Sequence, residues 1–319
     1  MQQPLTSPFS HVSTAEQVSA GLDLSHVHAI VTGATAGLGL ETARVLALRG
    51  AQVTLLGRNQ QAGDAIAKTL QAETGNTNID MVSVDLNCLQ SVTEFGNHIN
   101  RSGQVVDLLI NNAGIMAAPY QRNELGFESQ LFINYVSHLL LSEALTPALL
   151  KSSAPRIVSL SSLGHHMSPV VLDDLNFENR AYDKWRAYGQ SKTATALLAA
   201  YLHQQLGAAG VLSTAVHPGS IDTNLSRYLT PEERQAAISG GKSTYKTLQQ
   251  GAATTLWAAT SVLLEGHGGS YLEDCNIAPV VEKPNYQYGV MPYAISLEQA
   301  NGLVHNVEAA LGKPILRKF

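Results

Sequence analysis

Residues 28–39, HAIVTGATAGLG, decide how this chain is read. An apolar run, Ala29-Ile30-Val31, enters a turn spaced by Gly33, Gly37 and Gly39, and a helical segment Leu40–Leu48 follows with Gly50 as its stop. Strand, glycine turn and helix in that order let backbone N–H groups approach a pyrophosphate at the positive end of the helix. Three glycines alone also suit an ordinary turn, so the reading depends on what surrounds them.

Downstream, the same alternation repeats. Gln52–Leu56 reads as a buried parallel strand, residues 60–74 as a helix, Asp80–Val84 as a third strand, Leu89–Asn100 as a helix and Val105–Ile110 as a fully apolar strand. A helix over 123–150 and a strand over Arg156–Leu160 continue the series, and Gly269–Leu272 is the last strand expected. This alternation predicts an α/β fold, a Rossmann-type doubly wound parallel sheet of about seven strands with helices on both faces, as a single domain. Its ligand crevice lies at the carboxyl ends of the strands, where each motif below falls.

The second strand ends in Gly57-Arg58-Asn59. A site for NAD places a carboxylate there to hold the adenosine ribose 2′-hydroxyl; Arg58 instead offers a planar, permanently charged fork suited to a 2′-phosphate. NADP(H) is therefore the expected cofactor. Asp85-Leu86 closes the third strand, where the carboxylate either accepts from the adenine amino group or caps the next helix. Asn111-Asn112-Ala113-Gly114 ends the fourth, with small residues that admit a ligand and asparagines that lock the turn.

The arrangement Tyr188-Gly-Gln-Ser-Lys192 puts a phenol and an ammonium at i and i+4 on one helical face. A phenol with a pKa of about 10 is a poor base near neutrality, and an ammonium one turn away stabilises its phenolate. The preceding strand ends in Ser161-Ser162, one of which can hydrogen-bond a carbonyl oxygen.

These residues resemble the short-chain dehydrogenase/reductase family. Thr32–Gly39 is similar to its TGxxxGxG turn, Asn111–Gly114 to its NNAG, Tyr188/Lys192 to its YxxxK, and His217-Pro218-Gly219 with Thr223 to the loop that touches the nicotinamide carboxamide. The similarity spans roughly residues 13–280 and is greatest to the retinol dehydrogenase and WW-domain oxidoreductase branch, through STAEQVSAG (13–21), RVLALRG (44–50), NNAGIM (111–116), HPGSIDTN (217–224) and QGAATT (250–255).

The resemblance implies that Tyr188 is the general acid, that Lys192 holds the ribose hydroxyls and lowers the tyrosine pKa, that Ser162 orients the carbonyl, and that Asn134 holds a relay water. It implies dinucleotide contacts from Gly33, Thr35, Ala36, Gly37, Leu38, Gly39, Arg58, Asp85, Leu86, Asn112, Ala113, Gly114, Pro218, Gly219 and Thr223. The reaction expected is NADPH-dependent reduction of an apolar ketone or aldehyde, a carbonyl reductase. The alternatives are oxidation of a hydroxysteroid- or retinoid-like alcohol and a non-catalytic NADP(H)-binding regulatory protein.

Composition fits small neutral partners: 45% hydrophobic and 14% charged residues give a large core, and a net charge of −5 with no Lys/Arg cluster offers no footprint for nucleic acid or an anionic membrane. No lysine or arginine precedes Arg44 and no apolar run approaches the roughly 20 residues of a membrane span, so a cytoplasmic protein is expected. Cys88 and Cys275 are isolated, no metal site is expected, and His165-His166 reads as a surface or loop pair.

Four segments lie outside the motifs. Residues 1–25 form an expected arm with a capping box from Ser13 to Glu16, ahead of a catalytic domain over 26–280. Residues 163–187 are longer than in compact family members and are expected to form one wall of the substrate pocket. Residues 225–248 read as a mobile helix and glycine-rich turn over the site. The extension 281–319 reads as a packed surface arm with disordered last residues at Arg317 and Lys318, and a homo-oligomer is left open.

Overall fold

The computed structural model describes residues 2–240 and 245–316, the side chains of 236–240 aside. The chain opens with a short helix α1 (Ala15–Val18), then β1 (His28–Thr32), α2 (Gly37–Leu48), β2 (Gln52–Gly57), α3 (Gln60–Thr74), β3 (Ile79–Ser83), α4 (Leu89–Ser102) and β4 (Leu108–Asn111). There follow α5 (Ser129–Leu131), a π-helical turn Phe132–Val136, α6 (Ser137–Leu149), β5 (Arg156–Leu160), α7 (Lys184–Leu206) and β6 (Leu212–His217). The last elements are α8 (Pro231–Gly240), α9 (Leu248–Gly251), α10 (Ala253–Thr260), β7 (Tyr271–Glu273), β8 (Asn276–Ile277) and α11 (Leu297–Leu311).

One eight-stranded sheet runs β3-β2-β1-β4-β5-β6-β7-β8, parallel except for β8. The order reverses between β1 and β4, which opens a crevice at their carboxyl ends. Apolar strands alternate their side chains between two cores: Ile30 and Leu109 pack with α4, α6, α7 and α11, while Val31, Val53 and Ile110 pack with α2, α3 and α10.

Several expectations shift. β4 begins at Leu108, because Val105 stays 40% exposed on the approach and gives its carbonyl to His28 Nδ1. Residues 123–128 are a turn and not helix: Asn123 Oδ1 accepts from Leu125 N and Phe127 N, and Gly126 takes φ +83°. The helix starts only after Glu128, whose buried carboxylate accepts from the amides of Gln130 and Leu131. In the arm, the capping box is Thr14 with Gln17, one residue beyond Ser13 and Glu16. The eighth strand closes a hairpin through Asp274 and Cys275, both at positive φ without a glycine, so it carries no sequence signal.

The C-terminal extension is more than a surface arm. Val290, Ala294, Leu303 and Val307 are fully buried, and α11 packs on α7. Residues 241–244 of the segment expected over the site, and Arg317 and Lys318, lie outside the described residues.

Candidate active site

The glycine turn is built by exclusion of side chains. Gly33 and Gly37 take φ +64° and +57°, and a Cβ on Gly33 would stand 3.0 Å from Ala113 Cα. Thr32 Oγ1 accepts from Asn112 N and Ala113 N at 2.9 Å each, and Asn112 Nδ2 donates to Thr32 O, so the two strand-end turns are one unit. Ala36, which precedes α2, caps it with no side chain, so the first amides of α2 have no partner within the helix. Ala36, Gly37 and Leu38 line a cavity of about 780 Å³, together with Gly33, Thr35, Asn112, Ala113 and Gly114.

Gly39 lies outside that lining, contrary to its expected contact. A Cβ there would come within 2.4 Å of Asn112 Nδ2 and of Gly33 O, so this glycine lets α2 sit on the turn.

At one end of the cavity Arg58 is exposed, and no hydrogen bond or ion pair of its guanidinium is found among the described residues. No carboxylate ends β2. Asp85 and Leu86 also line the cavity. Asp85 does not cap a helix: it closes a local turn by accepting from Asn87 N, and Cys88 is the residue before α4.

Ser162, Tyr188 and Lys192 meet in the same cavity. Asp183 caps α7 by accepting from the amides of Trp185 and Arg186, which puts Tyr188 in its second turn and Lys192 one turn further. Gly164 makes room for the phenol ring, since a Cβ there would meet Tyr188 Cε1 at 2.7 Å. Ser162 Oγ accepts from Gly164 N at 3.0 Å, and the same Cβ would stand 3.4 Å from it, so hydroxyl and ring are neighbours. Burial pushes the Tyr188 phenol up to about 12, and the neighbouring Ser162 hydroxyl acts in the lowering sense. Lys192 does not reach it: Nζ stands 5.8 Å from the ring centroid and donates to Leu160 O at 2.7 Å, while burial pushes the ammonium down to about 8.

Asn134 occupies the π-helical turn, outside the cavity lining. Its Oδ1 accepts from Ile115 N, and its amide donates to Ile115 O and Ser191 Oγ. Both amide hydrogens are taken, so a water would have only the second Oδ1 lone pair.

The other end of the cavity corrects the expected pocket wall. Among residues 163–187 none lines it; the wall comes from Ile115–Asn123 and from Ile221–Tyr228, with Pro218, Gly219 and Thr223 beside them. The 163–187 segment stands one layer behind. Tyr182 donates to Ala118 O at 2.8 Å, its ring lies 4.9 Å from Tyr120, and Tyr120 donates to Asn176 O. The apolar Ile115-Met-Ala-Ala-Pro119 run after the asparagine turn was the available sequence signal.

His165 and His166 are not a surface pair: both are buried in a 3-10 turn after Ser162, bonded to the C-terminal extension. Among the described residues there is no cluster able to hold a metal, and no helix is long and apolar enough to cross a membrane.

The family model described as short chain dehydrogenase matches residues 27–234. A short-chain dehydrogenase/reductase of Penicillium roqueforti is 40% identical over 84% of this chain and 80% of its own. Mouse retinol dehydrogenase 11 is 37% identical over 82% and 84%, and mouse polyprenol dehydrogenase 39% over 77% and 75%. A solved protein from Mycobacterium paratuberculosis superposes with a TM-score of 0.72 at 30% identity, covering 93% of this chain and 98% of that one. Together with the glycine turn and the Ser162/Tyr188/Lys192 cluster on one sheet edge, these likenesses place the chain: it belongs to the short-chain dehydrogenase/reductase family, oxidoreductases that work with nicotinamide dinucleotides.

Proposed function

We propose that this protein is an NADPH-dependent carbonyl reductase acting on an apolar ketone or aldehyde. The observation that carries this reading is the buried phenol of Tyr188, set with Ser162 and Lys192 in the cavity that also holds the uncapped start of α2 and the unpaired Arg58.

The residues present fit the dinucleotide. The free amides of α2 suit a pyrophosphate, Arg58 suits a 2′-phosphate where a carboxylate would repel it, and Gly114 leaves a space that a Cβ would close to within 3.6 Å of Lys192 Nζ. When bound, the dinucleotide supplies the hydride. Ser162 Oγ, which accepts from Gly164 N, keeps its own hydrogen for the carbonyl oxygen and so orients it. Tyr188 gives that oxygen the proton, a role that suits a phenol held un-ionised by burial. Lys192 has two N–H bonds beyond the one to Leu160 O, which are available to ribose hydroxyls. Asn134 fixes Ile115 and, through Ser191, the second turn of α7.

The relatives named for retinol and polyprenol favour a second reading on long apolar substrates, worked as alcohol or aldehyde. The test is oxidation of NADPH and of NADH, followed by absorbance, against aromatic, alicyclic and long-chain aldehydes and ketones, with retinol and a polyprenol in the reverse direction. Faster turnover of carbonyls with NADPH supports the proposal. Preference for NADH contradicts the role of Arg58, and tight NADPH binding with no turnover on any of these compounds favours a regulatory protein.

A further inference from the structure

Beside Ser162 lies a group for which this reaction has no use. His165 is fully buried. Its Nδ1 is 2.7 Å from Ser162 O, and its Nε2 receives the amide of Met291 at 3.1 Å. A backbone N–H only donates, so Nε2 is bare and the ring proton sits on Nδ1, where it donates to Ser162 O. The carbonyl of His165 is held in turn by Tyr293 OH at 2.8 Å and Thr193 Oγ1 at 3.2 Å.

His166 repeats the arrangement one residue on. Its Nδ1 accepts from Asn285 N and its Nε2–H donates to Gly289 O, both at 2.9 Å, while the buried carboxylate of Glu273 accepts from Gly289 N. Residues 285–293 are thus fastened to the turn after β5 at four points, 119 to 128 residues away in sequence.

We propose that His165 is a positioning residue for Ser162, acting through the bond of its ring to the Ser162 carbonyl. The inference rests on the reading of Ser162 as the serine that orients the carbonyl. Ser162 is extended (φ −169°, ψ 157°) and opens a 3-10 turn; of the Ser162–Leu163 peptide, the carbonyl accepts one backbone bond, from His165 N at 3.0 Å, and the N–H makes a long bond of 3.3 Å to His217 Nδ1. The imidazole adds a second, shorter bond to the same carbonyl and is itself a rigid spacer braced against Met291. Rotation of the Ser162 peptide would carry Oγ away from Tyr188, and a displacement of about 1 Å in such a group is enough to lower turnover up to about a hundredfold. A histidine that merely fills the core would affect folding alone.

Two substitutions separate these roles. H165Q presents an amide near the Nε2 position, keeping the Met291 contact and losing Ser162; H165N presents one near Nδ1, keeping Ser162 and losing Met291. Kinetics and thermal unfolding of both are compared with wild type and S162A. The expected result is a fall in kcat of about 10- to 100-fold for H165Q with KM for NADPH within about twofold, and rescue of kcat by H165N despite a lower Tm. Wild-type kcat in H165Q, or losses in both variants that follow their Tm, overturns the proposal. Wild-type kcat in S162A overturns instead the role of Ser162 on which it rests. If H165Q does not fold, H165L makes the same test, because its side chain fills the place of the ring and has no donor for Ser162 O. Lower kcat at unchanged NADPH KM supports the proposal, and unchanged kcat overturns it.

Discussion

The phenol of Tyr182 donates to the carbonyl of Ala118 at 2.8 Å, tying the 163–187 segment to a loop that lines the cavity. Gln130 Nε2 donates to the same phenol oxygen, and Phe177 packs edge-on to its ring at 5.1 Å. The wall is therefore set from behind. Tyr182→Phe leaves the ring and removes the bond to Ala118 O, with those to Gln130 and Glu128, so KM for the carbonyl substrate rises about 3- to 10-fold as the wall loses its tie. KM for NADPH stays the same. Steady-state kinetics check this; an equal change in both constants contradicts it.

Arg58→Ala removes the cation expected to meet the 2′-phosphate. A hydrogen-bonded charge pair of this kind contributes about 1.5–3 kcal/mol, so KM for NADPH rises roughly 10- to 100-fold while KM for NADH is unchanged or falls. Loss of both affinities together would mean that Arg58 supports the fold and not the phosphate.

Gly39→Ala forces a methyl against Asn112 Nδ2 and the Gly33 carbonyl, one of them backbone. The turn and α2 must separate, at a cost of about 1–3 kcal/mol. Thermal unfolding shifts down and dinucleotide affinity weakens, because the α2 amides move with the helix. An unaltered Tm would contradict the packing role.

Stability depends on pH through buried neutral histidines. Burial pushes His138, His165 and His217 down to about 4, 3 and 3, while the unfolded chain protonates them near 6.5. Below 6.5 the unfolded state binds more protons, so stability falls with falling pH, by roughly 2 kcal/mol per histidine at about pH 5. Glu273 acts in the opposite sense. Burial raises it to about 7 from 4.5, so the folded state gains stability as pH falls through that window, which offsets roughly 2–3 kcal/mol. The net loss between about pH 7 and pH 5 is roughly 3 kcal/mol, visible as a lower Tm. A Tm that holds or rises over that interval contradicts the assignment of these rings as neutral.

What the sequence disclosed follows the range of the interactions. The turn at Gly33, the helix pair Tyr188/Lys192 and the Gln60–Thr74 helix are local, with spacing that states the geometry, and they were legible. Tyr182 reaching Ala118, His165 reaching Met291 and Glu128 capping α5 from full burial depend on partners brought together by the sheet or on a turn that competes with helix. The 163–187 segment was expected at the cavity wall because it lies between Ser162 and Tyr188; it stands behind the wall because Ile115–Asn123 already fills that place. The Asp274-Cys275 hairpin had no glycine to announce it.

The most direct test of the central claim is Tyr188→Phe, with NADPH binding and carbonyl turnover measured on the same preparation. The substitution removes one oxygen from a buried ring and leaves Lys192 on Leu160 O. NADPH affinity is expected to stay within about twofold while kcat falls about 100- to 10,000-fold, the range of a lost general acid. Turnover at the wild-type rate with intact NADPH binding would contradict that claim.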